Sequence, residues 1–544
     1  MRERNGGTEE QKGDIVRGER IESMKEWGNN CRKPMGALGL VIVLFALSWL
    51  VVWLTRKYGR VKRLIDEIQG PTALPLLGNL LQLRLRPDEF FEQAQGVGYM
   101  FNEQPYRLAR IWFGPLPFVL VYGAEECEAV LGSSKLLTKL FHYQFLSPWI
   151  GDGLLISKPE KWRPRRKLLT PTFHYDILKD FIHIFNKHGK TLCDKFGNLA
   201  DENAEFTDVF HTITLCTLDI ICESALGVKI DAQNKKTPYL DAVLRMKFII
   251  HQRLVRPQFY PDIIFNLFSN GFEQRRCAIV ERRRRAECVG GISKLVELQQ
   301  KSQNSNETND RQQQGHTRMA LLDLMLDMQD KGQLDAAGVQ EEGHDTTSTA
   351  LNWFLHLMGV HPHIQAKVQR EIDEVLGSDI SRDLAFDDLG NFRYLEACLK
   401  ETLRLYPSVP LIARQVTEET KIRHFTLPRG TGVIVVASMV HRDPRFWTNP
   451  ELFEPERFLG DYLKHPYCYI PFSAGSRNCI GQRFAIMEEK CLVANILRRF
   501  HVTSKLRTDE MRVDADLIIR PMYGNKMCFQ RRSYGEYCTE KADF

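Results

Sequence analysis

Ten residues, Phe472-Ser473-Ala474-Gly475-Ser476-Arg477-Asn478-Cys479-Ile480-Gly481, surround one thiol with groups that favour its anion. Arg477 stands two residues before Cys479, and a helix expected from Gln482 points its positive dipole end at the same sulfur. A fixed cation and a helix N-terminus both lower a thiol pKa, and the thiolate is the form that binds metals. Gly475 and Gly481 carry no Cβ, so the chain can turn sharply there or let a flat group lie close. The chain has 13 cysteines, and most free cysteines are small buried hydrophobes. Only the surroundings of Cys479 argue for chemistry.

Other pairs are spaced for chemistry but carry weaker signals. Trp162 and Arg166 lie four apart and would share one helix face. A guanidinium fork there suits a carboxylate, although a basic surface helix has the same spacing. Glu401 and Arg404 lie three apart, one turn along a helix, a pairing that any amphipathic helix can contain. Asp345 and Thr346 set an acid beside an alcohol, a combination suited to proton transfer. The same pair also caps helices and decorates surfaces.

The pattern Phe-x-x-Gly-x-Arg-x-Cys-x-Gly resembles the haem-binding loop of the cytochrome P450 superfamily. That resemblance implies that Cys479 is the proximal ligand of a haem b iron, with Phe472 beside it. It implies that Trp162, Arg166, Arg414 and Arg477 bind haem propionates, and that Asp345 and Thr346 relay protons to iron-bound dioxygen. The run Phe453-Glu454-Pro455-Glu456-Arg457-Phe458 resembles the second half of a buried charge network with Glu401 and Arg404. The role implied for Glu401, Arg404 and Arg457 is structural. The string Glu342-Gly343-His344-Asp345-Thr346-Thr347 resembles the family-four cytochromes P450, the fatty-acid ω-hydroxylase type. In that type the glutamate can form an ester with a haem methyl group, which assigns that role to Glu342. His441-Arg442-Asp443-Pro444 and the run from Trp162 to His174 match the same wording.

The elements that must position these residues read as mainly helical with small β-sheets, the cytochrome P450 fold. A single large domain is expected over 81–544, preceded by a transmembrane helix. Residues 37–54 carry no charge and would span about 27 Å as a helix. Trp49 and Trp53 stand near its end, where aromatic rings favour the interface. A polar stretch, 1–36, precedes the span and reads as disordered, which argues against a cleaved signal peptide. Arg56, Lys57, Arg60, Lys62 and Arg63 follow it without an acid, placing the body on the cytosolic side. Residues 55–80 form a basic, proline-containing hinge stiffened by Pro71 and Pro75. The resemblance adds the endoplasmic reticulum as the membrane, with one pass.

Composition closes off other classes. The chain of 544 residues is 43% hydrophobic and 26% charged, enough for a large core. A net charge of +6 is too slight to argue for nucleic acid. No C-x-x-C pair suggests zinc, and scattered cysteines fit a reducing compartment. Gly189-Lys190-Thr191 fails as a phosphate loop because Ile184 stands where glycine is required. Residues 281–285 read as a solvated charged face, 299–318 as a linker and 321–328 as helix. The sequon at Asn306 would face the wrong compartment for use.

One departure from the family's wording stands out. Gln340-Glu341-Glu342 runs straight into Gly343, where members carry an apolar stretch about seven residues longer. That removes about 10 Å of helix but shifts its phase by only about 20°. The expectation is therefore a monooxygenase of fatty acids or related lipids. Its electrons would come from NADPH through NADPH-cytochrome P450 reductase, with cytochrome b5 as a second donor. Two alternatives stand beside it: a silent haem-binding isoform, and a monooxygenase of steroids or xenobiotics.

Overall fold

The computed structural model describes residues 58–279 and 336–533, except 102, 203, 204, 226, 228, 236–238 and 461–463. It also describes Ile42, Phe45, Ala46, Ser48 and Trp49; for 176, 239, 240 and 336–342 only the backbone is described. The expectations for 1–36, most of 37–54, 281–285, 299–318 and 321–328 lie outside the described residues, as does the side chain of Glu342. Among the described residues no helix is long and apolar enough to cross a membrane. Two compact units divide the chain, Met1–Leu64 and Ile65–Phe544. In the first, the described positions are helical.

The second unit is mostly helix. In chain order its main helices are α1 (Pro87–Met100), α2 (Ala124–Leu131), α3 (Pro159–Leu169) and α4 (Ile182–Asp201). Then follow α5 (Phe210–Ala225), α6 (Tyr239–Leu254), α7 (Asp262–Phe268) and α8 (Ala336–Val360). Last come α9 (Pro362–Leu376), α10 (Arg393–Leu405) and α11 (Gln482–Arg499). α9 shows how local sequence sets bounds. Pro362 opens it, where a missing N–H costs nothing, and Gly377 closes it at φ 70°.

The largest sheet joins β1 (Leu108–Phe113), β2 (Leu116–Val121), β4 (Leu411–Gln415) and β7 (Gly432–Val436) in the order β1-β2-β7-β4. Only the β2–β7 pair is parallel. β7 reads Gly-Val-Ile-Val-Val, the near-continuous β-branched run of an inner strand. A three-stranded sheet orders β3 (Thr207–Asp208), β11 (Lys526–Arg531) and β8 (Phe500–Ser504) as β3-β11-β8. Two hairpins complete the set, β5 (Thr420–Ile422) with β6 (Phe425–Leu427), and β9 (Val513–Ala515) with β10 (Ile519–Pro521).

α8 runs through the core. Its Trp353, Phe354, Leu355, Leu357 and Met358 are wholly buried, packed by α5, α10, α11 and β8. A helix apolar all round belongs in the interior of a large domain. The stretch after Ile65 is folded onto the body: Asn79 donates to Thr72 and Gln82 and accepts from the amide of Trp112.

Candidate active site

The loop before α11 is shaped by one glycine. Gly475 adopts φ +70°, and a Cβ there would lie 1.9 Å from the carbonyl oxygen of Leu131 in α2. No other residue fits. The amide of Ser473 donates to the carbonyl of Ile470 at 3.0 Å, and that of Cys479 to the carbonyl of Phe472 at 2.9 Å. These bonds fold the chain back so that Cys479 sits just ahead of Gly481, the N-cap of α11. A Cβ on Gly481 would stand 4.0 Å from the sulfur. Among the described cysteines Cys479 alone is exposed. A buried-hydrophobe role is thereby removed for the one thiol with a helix N-terminus behind it.

α3 clamps the same loop. Arg166 donates through Nη1 to the carbonyl of Asn478 at 2.6 Å and through Nη2 to its Oδ1 at 2.8 Å. Burial pulls the Arg166 guanidinium below its usual range, and Cys479 nearby offsets part of that pull. Arg166 therefore meets the loop one residue before the sulfur. Trp162 supports another arginine: its ring lies 4.6 Å from the guanidinium of Arg477.

Arg414 and Arg477 form the most telling pair. Both are buried, and among the described residues no carboxylate lies within ion-pair distance of either. Arg477 donates through Nη2 to the carbonyl of Ser157 at 2.5 Å, while its Nε has no partner. Arg414, in β4, donates through Nη1 to its neighbour Ala413 at 3.1 Å. Burial, then repulsion from Arg414, takes the Arg477 pKa down to about 10. Two buried like charges without a counter-charge are costly unless an anion joins them. The carboxylates of a haem propionate pair are the anions such a set fits.

Behind the loop lies the charge network. Arg404 in α10 grips Glu401 with Nε at 2.7 Å and Nη2 at 2.8 Å, both side chains wholly buried. Arg457 reaches the same carboxylate at 3.0 Å, and the amide of Glu454 donates to it at 2.9 Å. Arg404 also donates to the carbonyls of His441, Pro450 and Leu452. Sequence reading gave His441 no role, yet it joins this network to the thiolate loop. Its Nδ1 pairs with the Arg404 carbonyl at 3.1 Å, and its Nε2 accepts from the amide of Ile470 at 2.7 Å. That geometry needs a neutral ring, and burial takes its pKa down to about 3.

On α8 the residues read as a relay are held firmly. Both oxygens of Asp345 accept from Nζ of Lys247 in α6, at 2.9 and 2.8 Å. Thr347 Oγ1 donates to the carbonyl of Gly343 at 3.0 Å. Thr217 donates to the carbonyl of His344, and Ser408 to that of Thr346. Lys247 was not singled out from sequence. Its signal was a cation between Val243, Met246 and Ile250, on the apolar stripe of an amphipathic helix.

An exposed thiol at a helix N-terminus, beside buried arginines awaiting an anion, within a mostly helical body, defines a haem-thiolate protein. The cytochrome P450 family model matches residues 68–529, and the chain belongs to that family, to its family-four type. It is 37% identical to cytochrome P450 4V2 of Rattus norvegicus, covering 93% of this chain and 96% of that protein. Human cytochrome P450 4V2 is 40% identical over 85% of this chain and 89% of its own. Cytochrome P450 4c3 of Drosophila melanogaster is 36% identical over 89% and 93%. The chain is a P450 monooxygenase that binds haem b.

Proposed function

We propose that this monooxygenase oxidises fatty acids or related lipids at the chain end, with electrons from NADPH passed by NADPH-cytochrome P450 reductase. The observation that carries the oxygenase chemistry is the exposed Cys479 just ahead of α11, with the buried Arg414–Arg477 set that has no carboxylate partner among the described residues. Bound haem supplies the iron chemistry that activates dioxygen, pushed by a thiolate ligand. Cys479 would hold the iron, and Arg414 and Arg477 the propionates. Arg166 keeps the loop seated, and Asp345 with Thr346 would hold and pass protons. Glu342 follows the family-four wording and would tether the cofactor through an ester. Mass spectrometry of haem after denaturation tests that bond; a freely extracted cofactor rules it out.

Contact of the body with a lipid surface is supported by an apolar patch. Ile263, Leu267 and Phe268 of α7, with Phe272 after it, are 70–80% exposed. Such a patch on one short helix suits contact with acyl chains. The reading keeps the body on the cytosolic side, with 37–54 as the anchor and cytochrome b5 as a second electron donor.

A silent haem-binding isoform is the second reading, favoured by the Lys247 grip on Asp345 and the short run before Gly343. Reconstitution with reductase separates the two. Fatty-acid turnover with terminal hydroxylation supports the first, a thiolate-type carbon-monoxide band without turnover the second, and preferred oxidation of steroids overturns the lipid assignment. Inserting the missing apolar stretch and finding equal rates would show that the shortening is harmless.

A further inference from the structure

Between α10, α11 and the thiolate loop lies a cavity of about 100 Å³, well above the ~10–15 Å³ that one water needs. Its walls are largely apolar, with Leu399 and Leu403 from α10 and Ile486 from α11. Glu489 stands one turn beyond Ile486 and lines the same space. It is 1% exposed, and its Oε2 has no hydrogen-bond partner among the described residues. Burial raises its pKa to about 8, so near neutral pH the carboxyl keeps a proton and can donate as well as accept.

Ser473, in the thiolate loop, lines the cavity too, and its Oγ is likewise buried without a partner. Its backbone is left-handed at φ 60°, a conformation that costs a serine free energy and persists only where the surroundings hold it. On the N-terminal side the chain is well tied. The Tyr469 hydroxyl donates to the carbonyl of Lys400 at 3.0 Å, and the Ile470 amide to His441. Directly before Ser473 stands Phe472, whose carbonyl accepts from the Cys479 amide. A slip at Ser473 would therefore carry that carbonyl, and the thiolate, with it. At the cavity rim Glu396 is held by Lys400 at 2.9 Å and by Lys490, so these charges call for no ion. The occupant that such a lining suits is neutral and hydrogen-bonding.

We infer that this cavity is a built water site, in which ordered water joins Ser473 Oγ to the Glu489 carboxyl and makes both positioning residues for the Cys479 loop. Water there gains the two or more polar partners that hold it in an interior, and both side chains gain the hydrogen bond they lack. The inference rests on reading Cys479 as the iron ligand.

The test uses the full haem-loaded chain as wild type, Ser473→Ala, Glu489→Leu, Glu489→Gln, Ile486→Val and the Ser473→Ala/Glu489→Leu double variant. The readout is the rate at which the carbon-monoxide band passes from the thiolate to the thiol type. Ser473→Ala and Glu489→Leu should each quicken it about fivefold, the worth of one hydrogen bond. The double variant should be no quicker than the faster single, because both changes break one bridge. Glu489→Gln should keep the band at least as long as wild type, and Ile486→Val should leave its rate near wild type. Unchanged rates in both singles, or effects that multiply in the double, overturn the inference. So does an Ile486→Val rate equal to that of Glu489→Leu, which would make packing the cause. Infrared difference spectra give a second reading: the protonated carboxyl band that vanishes in Glu489→Gln should shift in Ser473→Ala, and an unmoved band overturns the bridge. If the wild type shows no thiolate-type band, the ligand reading fails, and the infrared comparison alone still decides whether the bridge exists.

Discussion

Two guanidinium groups buried side by side repel each other, so Arg414 and Arg477 weaken the haem-free protein and strengthen the haem-bound one. Arg414→Met should therefore lower haem retention about tenfold or more, the worth of one charge-assisted hydrogen bond, without lowering the Tm of haem-free protein. Transfer of haem to an acceptor protein and thermal unfolding of the apo form read the two effects separately. Loss of Tm in the apo form would contradict the account. His441 argues the opposite case, a neutral group whose partners are all in place. His441→Ala strands the Ile470 amide and a carbonyl of the charge network, and should cost about 2–4 kcal/mol in denaturant unfolding. Its folded pKa, about 3, lies below the ordinary 6.5, so its contribution is whole above pH 6.5 and fades as pH falls toward 3.

At the scale of elements, the thiolate loop depends on how closely it approaches α2. Gly475→Ala would force its Cβ onto the Leu131 carbonyl and displace the loop that holds Cys479. We predict loss of the thiolate-type carbon-monoxide band, equal to that of Cys479→Ala, while Cys468→Ala, buried elsewhere, retains it. A normal band in Gly475→Ala would show that the loop adapts. This loop was legible from sequence because its constraints are local: a turn glycine, a cation two residues away and a helix starting behind. α3 was legible only in part. The four-residue spacing of Trp162 and Arg166 told that they share a face, not that one supports Arg477 and the other grips Asn478. α6 went unread because a lone lysine on a helix usually points to water.

For the whole molecule, burial sets the pH range of stability. Glu489 of α11 is fully buried, which pushes its carboxyl up from 4.5 to about 8. A raised acid is neutral in the fold and ionises first when unfolded. Its contribution is therefore whole below pH 4.5 and is lost as pH rises toward 8. Glu489→Gln keeps the neutral shape and should remove about 2–4 kcal/mol of the decline in stability between about pH 5 and about pH 8. Parallel wild-type and variant curves over that range would show that the carboxyl stays ionised. Its neighbour Glu488 is pushed the same way by burial and by Glu489, so the double variant should flatten the curve further.

By itself the chain named the candidate ligand, the Glu401–Arg404 pair and the relay candidates, because each is written in residues within a few positions of one another. Cys479 with Arg477, Glu401 with Arg404 and Asp345 with Thr346 share a turn of backbone, whose geometry hardly varies. Tertiary structure decided the partners that are far apart along the chain. Arg166 and Asn478 are separated by 312 positions, and Lys247 and Asp345 by 98. Their meeting depends on how helices pack, and in a dense interior a buried charge takes whichever counter-charge packing brings within reach.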